Sequence, residues 1–161
     1  KMIFARKIAR AKWEKASEEC SSLENIDNFP ADTLTADLRT KDNTLSIWHV
    51  ANTDEAVLAM MATENASLET IHILYINEIE NLPIVDFDGD TYVEDLVKQH
   101  KNIHSLNYKS IGTLAKIFLS AYKNNQYKTY KASEIKQILH NAITNKRIDV
   151  GKFNSSIRAK L

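Results

Sequence analysis

The densest group of side chains able to do chemistry is LPIVDFDGDTYVED, residues 82–95, where Asp86, Asp88 and Asp90 alternate with Phe87 and Gly89. Carboxylates two residues apart after an apolar run can share a magnesium ion, one acting as nucleophile and the next as acid or base in phosphoryl transfer. The same three aspartates match positions 1, 3 and 5 of a calcium loop. Both patterns break off. In magnesium phosphatases of that type threonine follows the glycine directly, whereas Asp90 stands between Gly89 and Thr91, and the apolar run is only Ile84 and Val85 after Pro83. A calcium loop needs glycine at position 6 and glutamate at position 12, and those places hold Thr91 and Val97. The expectation is a solvated acidic loop whose Asp90 and Glu94 suit a helix N-terminus. A metal-dependent hydrolase built on Asp86, Asp88 and Asp90 is the enzymatic alternative; no metal and no cofactor is expected.

The other reactive residue types are scattered. His49 and His72 fall on strands that would be neighbours, yet if Thr44 lies near Thr70 in a parallel pair they are several residues out of register. His100 and His104 have the i, i+4 spacing of a helical metal pair, but Lys101, Asn102 and Ile103 between them include no glutamate to act as base. His140 has no companion. Cys20 lies among Glu18, Glu19 and Glu24, which would raise a thiol pKa, the wrong direction for a nucleophile. No serine sits in a Gly-x-Ser-x-Gly elbow, and three glycines are too few for a glycine-rich phosphate loop.

Composition sets the frame around these residues. The 161 residues are 43% apolar and 26% charged, which suits one globular domain with a proper core. No run is long and apolar enough for a membrane span or a signal-peptide core, so a cytoplasmic protein with no membrane partner is expected. A single cysteine excludes disulfide scaffolds and thiolate zinc folds.

The formal charge is zero, but it is divided. Residues 1–15 hold six bases against Glu14, net +5; residues 16–97 hold eighteen carboxylates against Arg39 and Lys41, net −16; residues 98–161 hold thirteen bases against Glu134 and Asp149, net +11. One-signed faces attract polyanions through counterion release. The competing reading folds the basic ends back onto the acidic middle, within the molecule or across a homo-oligomer.

Periodicity then places the elements. Residues 2–13 lean to a strand; residues 17–28 read as a polar connecting loop or a short surface helix; Pro30 opens a short helix burying Leu34 and Leu38, with Asn28 as its capping candidate. TLSIWHV (44–50) alternates as a strand, Asn52 with Glu55 caps a helix through Met61, and TIHILYI (70–76) reads as a strand covered on both faces. Strand, helix and strand in this order predict a βαβ unit. From Thr91 onward the pattern is helical, with Thr91 and Glu94 as a capping pair and Val93, Leu96, Val97, His100 and Ile103 on one side. Tyr108 to Lys123 carries an apolar stripe backed by Lys109, Lys116 and Lys123, and a further helix spans about residues 133–145. A last helix uses Val150, Phe153, Ile157 and Leu161, at a spacing compatible with a helix-turn-helix.

The expected architecture is therefore α+β: a small mixed or parallel sheet with one βαβ unit in residues 1–90, and a basic helical C-terminal subdomain of three to four helices in residues 91–161, packed together as one domain. The expected function is that of a non-catalytic binding protein, a subunit or accessory factor of a larger assembly. Its basic C-terminal surface, Lys109, Lys116, Lys123, Lys128, Lys131, Lys146, Arg147, Lys152 and Arg158, would contact nucleic acid or an acidic protein, mostly as phosphate or carboxylate partners. The run YKNNQYKTYK adds tyrosines able to stack on bases. A second reading gives the acidic face of residues 16–97 to an immunity or antitoxin-type inhibitor of a basic target.

Overall fold

A computed structural model describes residues 1–161 and shows a six-stranded sheet with helices on both faces. The strands are β1 (Ile3–Ile8), β2 (Leu45–Val50), β3 (Ile71–Ile76), β4 (Ile84–Asp86), β5 (His100–Ile103) and β6 (Tyr127–Tyr130), in the order β4-β5-β2-β1-β3-β6. The helices are α1 (Arg10–Glu19), α2 (Ala31–Asp37), α3 (Thr53–Met61), α4 (Glu94–Val97), α5 (Tyr108–Lys123), α6 (Ala132–Thr144) and α7 (Ser155–Arg158), with 3-10 turns at Leu23–Asn28 and Val150–Lys152.

Strand alternation sorts the core into two layers. Ala5, Trp48, Val50, Ile71, Ile73 and Tyr130 face α3, α6 and the C-terminal turns, where Leu139, Phe153 and Ile157 are buried. Ile8, Leu45, Ile47, Leu74, Ile76 and Ile103 face α1, α2 and α5, where Trp13, Leu38, Leu114 and Phe118 are buried. The chain is thus an α+β protein with a three-layer core, and no helix is long and apolar enough to cross a membrane.

Several expected elements stand close to their predicted ends. The helix expected from Tyr108 to Lys123 has those bounds, and Asn52 caps α3 by accepting from the Glu55 amide at 3.0 Å. The sheet differs from expectation. Every pairing is antiparallel: β1 lies between β2 and β3, with Phe4 opposite both His49 and Ile76, so β2 and β3 run the same way without pairing. The apolar run of β3 reports cover on both faces, which a central antiparallel strand in a three-layer core shares with a parallel one. The helix expected through Ile103 ends at Val97, and His100–Ile103 becomes β5, paired to β2 and β4. Val97, His100 and Ile103 at three-residue spacing fit a helix over so few residues, and the ladder to Ser46 and Ile47 decides otherwise. Thr91 does not cap that helix; its hydroxyl accepts from the Val93 amide at 3.4 Å, and Val93 is the N-cap. Nor is the C-terminal half a helical subdomain, because it supplies β5 and β6 and sends α5 and α6 to opposite faces. The tyrosine and lysine run after α5 is the edge strand β6, and α7 is a single turn, too short for a recognition helix.

Candidate anion-binding groove

The nine basic residues expected to form one surface are separated by the sheet. Lys109, Lys116 and Lys123 lie on α5, whereas Lys131 is the N-cap of α6 and Lys146, Arg147, Lys152 and Arg158 follow α6 on the opposite face, and Lys128 is on the edge strand β6. Four are engaged internally. Arg147 donates to Glu55 at 2.9 and 3.0 Å and to Asp95 at 2.7 Å, which raises its pKa further. Lys123 donates to the Ser17 carbonyl at 3.0 Å; Lys128 reaches Asp54 at 3.4 Å and lies over the Tyr130 ring; Lys152 lies over the Tyr92 ring. Lys146 and Lys152 share a hollow with Glu94, Asp95 and Asp149.

All seven ion pairs join a carboxylate of residues 16–97 to a base outside that block. The charge asymmetry of the sequence is thus partly compensated inside the fold. Asp86 pairs with Lys101 and Asp88 with Lys98 at 2.8 Å, so the first two aspartates of the expected cation loop face separate lysines, and no three acidic, histidine or cysteine side chains converge. Gly89 serves packing: a Cβ there would fall 2.8 Å from His100 Cβ and 2.9 Å from Trp48 Cζ3.

The histidines are also apart. His49 is opposite Phe4 and stacks on it at 4.3 Å, whereas His72 is opposite Ile8, at the other end of β1, and hydrogen-bonds Thr129 at 2.8 Å. His100 Nδ1–H donates to the Phe87 carbonyl at 2.8 Å, while His104 lies beyond β5 beside Ser105. Burial lowers the pKa of His49, His72 and His100, with nearby cations adding to this at all three and the hydrogen bond to the Phe87 carbonyl opposing it at His100. In the unfolded chain these groups titrate near 6.5. Below that pH the unfolded chain takes up protons that the folded chain resists, so stability is full above about 6.5 and falls with pH beneath it. The melting temperature is expected to drop between pH 7.5 and 5.5, by less in a variant carrying His49→Phe and His100→Asn.

A different set of cations lines two adjoining hollows where β1 and β2 part, one of them bordered by the end of α3 and the residues after it. β1 pairs with β2 only from Ile3 to Ala5, and then the strands part. Arg6 occupies the opening: its Nη1 donates to the Ser46 carbonyl at 2.5 Å, and its Nε and Nη2 donate to the Asp37 carbonyl at 3.1 and 2.9 Å. The Asp37 carboxylate accepts from the Ala9 amide at 2.9 Å and from Trp13 Nε1 at 2.6 Å. Burial lowers the Arg6 pKa and the Asp37 charge opposes that shift, so the guanidinium stays charged.

Two adjoining hollows of about 540 and 450 Å³ share Arg6 and Ser46 and form one groove across this opening. Lys7 lies at one end with Asn65 and Ser67; Arg39, Lys41, Asn102 and Phe87 lie at the other, with Asp42 as the exposed carboxylate. Lys7, Arg39 and Lys41 are exposed and take part in none of the ion pairs. Phe87 is 59% exposed, large for a phenylalanine. None of the four belongs to the expected basic surface. A signal was present, since Arg39 and Lys41 are the only bases among residues 16–97 and both line this groove.

Chemically, the groove offers three free cations, amide and hydroxyl groups, and one aromatic face, and no assembled nucleophile or base. The fold is that of a three-layer α+β protein. Comparison with known proteins adds no name to that class: no family model, curated protein or solved structure matches the chain.

Proposed function

We propose that this is a non-catalytic binding protein that holds single-stranded nucleic acid in the groove between Lys7 and Phe87. The observation that carries the reading is the placement of Arg39 and Lys41 beside the exposed ring of Phe87, with Lys7 in the adjoining hollow and none of the three in an ion pair. Lysine and arginine neutralise phosphates without regard to sequence, and an exposed aromatic ring stacks on an unpaired base but not on one inside a duplex. Asn65, Asn102 and Ser46 add donors and acceptors for sugar and base edges. Arg6, bonded to two carbonyls, holds the strands apart and shapes the floor.

Fluorescence anisotropy with labelled 16-mers of thymidine and uridine, and with a duplex of equal length, tests this. For three phosphate contacts on a single strand, the slope of log affinity against log salt is expected to be about −2. Arg39→Glu with Lys41→Glu should abolish measurable binding, and Phe87→Ala should weaken it about tenfold, the worth of one stacked base. Lys109→Glu with Lys116→Glu should leave it unchanged. Binding that survives the Arg39 and Lys41 reversal, or that prefers duplex, sinks the proposal.

A further inference from the structure

On the α5 side of the sheet, a cleft of about 760 Å³ runs between the first half of α5, the 3-10 turn Leu23–Asn28, α2 and the loop from Thr40 to Asn43. Its floor is apolar, from Ile26, Phe29, Leu34, Leu106 and Ile111, and Lys109 and Lys116 stand on its rim without ion pairs. Tyr108, at the mouth, is 98% exposed. Between the two lysines lies Gly112. Glycine weakens a helix interior more than any residue except proline, so a mid-helix glycine calls for a reason. The chain itself supplies none: Gly112 has no positive φ, and a Cβ built on it meets nothing within 4 Å. Gly89, by contrast, is required by Trp48. The bare helix backbone at Gly112 is open space aimed into an apolar cleft.

We propose that the cleft is a docking site for an acidic amphipathic helix of a partner protein, which crosses α5 at Gly112. Small residues let helix backbones approach closely, and a crossing there would seat apolar side chains between Phe29, Leu34 and Ile111. Lys109 and Lys116 are seven residues apart, two turns of helix, and flank the crossing point. That places one cation on each side of the docked helix, so carboxylates on both its flanks are paired. Nucleic acid fits this cleft less well, because its floor is apolar and Asp27 lies on its wall. The cleft and the groove share no lining residue, although the loop around Thr40–Asn43 borders both.

The test separates folding from docking. Gly112→Leu adds a good helix former where nothing obstructs it, so the melting temperature should rise by about 2–4 °C. A phage-displayed library of 16-residue peptides is selected on the full chain, and the enriched peptides are synthesised and measured against wild type, Gly112→Leu, and Lys109→Glu with Lys116→Glu. Enriched sequences should combine Asp or Glu with apolar residues spaced three and four apart, and should bind both variants at least about tenfold more weakly, with no competition from the thymidine 16-mer. Peptides that are basic or uncharged, or that bind wild type and Gly112→Leu alike, overturn the proposal. So does wild-type self-association that Gly112→Leu abolishes, since the occupant would then be a second copy of this chain.

Discussion

Asp37→Ala is expected to destabilise the protein by about 3–5 kcal/mol and to lower its melting temperature by about 10 °C. The carboxylate is the one acceptor for two donors, the Ala9 amide that opens α1 and the indole Nε1–H of Trp13, which is fully buried. Removing it leaves both donors unpaired, at about 1–3 kcal/mol each, and leaves the Arg6 guanidinium without its counter-charge in the opening between β1 and β2. Asp37→Asn separates the contributions. One oxygen of Asp37 accepts both bonds, so the asparagine carbonyl can keep both while the charge is lost, and a cost of about 1–2 kcal/mol is expected. Guanidinium unfolding of the two variants measures the difference. Equal losses would assign the stabilisation to charge rather than to the hydrogen bonds.

That network also shows where sequence reading stops. α5 was legible because an apolar stripe with lysines seven apart admits one interpretation over sixteen residues. β2, α3 and β3 were legible for similar reasons: alternation, an Asn cap, and a β-branched run. Asp37, Trp13 and Arg6 look unrelated in sequence, and their bonds span 24 to 40 positions. Strand direction was illegible too, because the alternation that marks β2 and the β-branched run that marks β3 are the same whether the neighbour is another parallel strand or the antiparallel β1. β5 was hidden by its length, four residues whose buried ends, His100 and Ile103, sit three apart.

The site followed the same division. Both readings of the charge blocks were available from composition, and the fold answers with ion pairs, each joining the acidic block to a basic end. Counting charge along the chain favoured the lysine-rich C-terminus. Pairing in space removes Lys123, Lys128 and Arg147 from that surface, whereas Lys7, Arg39 and Lys41, like Lys109 and Lys116, stay without ion pairs. Unpaired charge, not local density, is what a phosphate meets.

Gly89→Ala is the second substitution expected to act strongly, lowering stability by about 2–3 kcal/mol and the melting temperature by about 5–10 °C. The new methyl would collide with the six-membered ring of Trp48 and with His100 Cβ, and neither has room to move. Trp48 is packed edge to face on His100 at 4.9 Å and is nearly buried, while His100 is tied through Nδ1 to the Phe87 carbonyl. The loop cannot swing out cheaply, because the Gly89 amide donates to the Val97 carbonyl at 2.9 Å. The effect should therefore reach the groove: displacing the loop shifts Phe87, two residues away, and nucleic-acid affinity should fall even where the variant remains folded. The same variant decides between two roles for the glycine. If it served to bend a cation loop through Asp86, Asp88 and Asp90, the loss would depend on calcium or magnesium. Since Asp86 and Asp88 face Lys101 and Lys98 and the glycine faces an indole, the melting temperatures of wild type and variant should differ by the same amount in EDTA and in millimolar calcium or magnesium. A gap that widens with either ion would reassign the loop to metal binding.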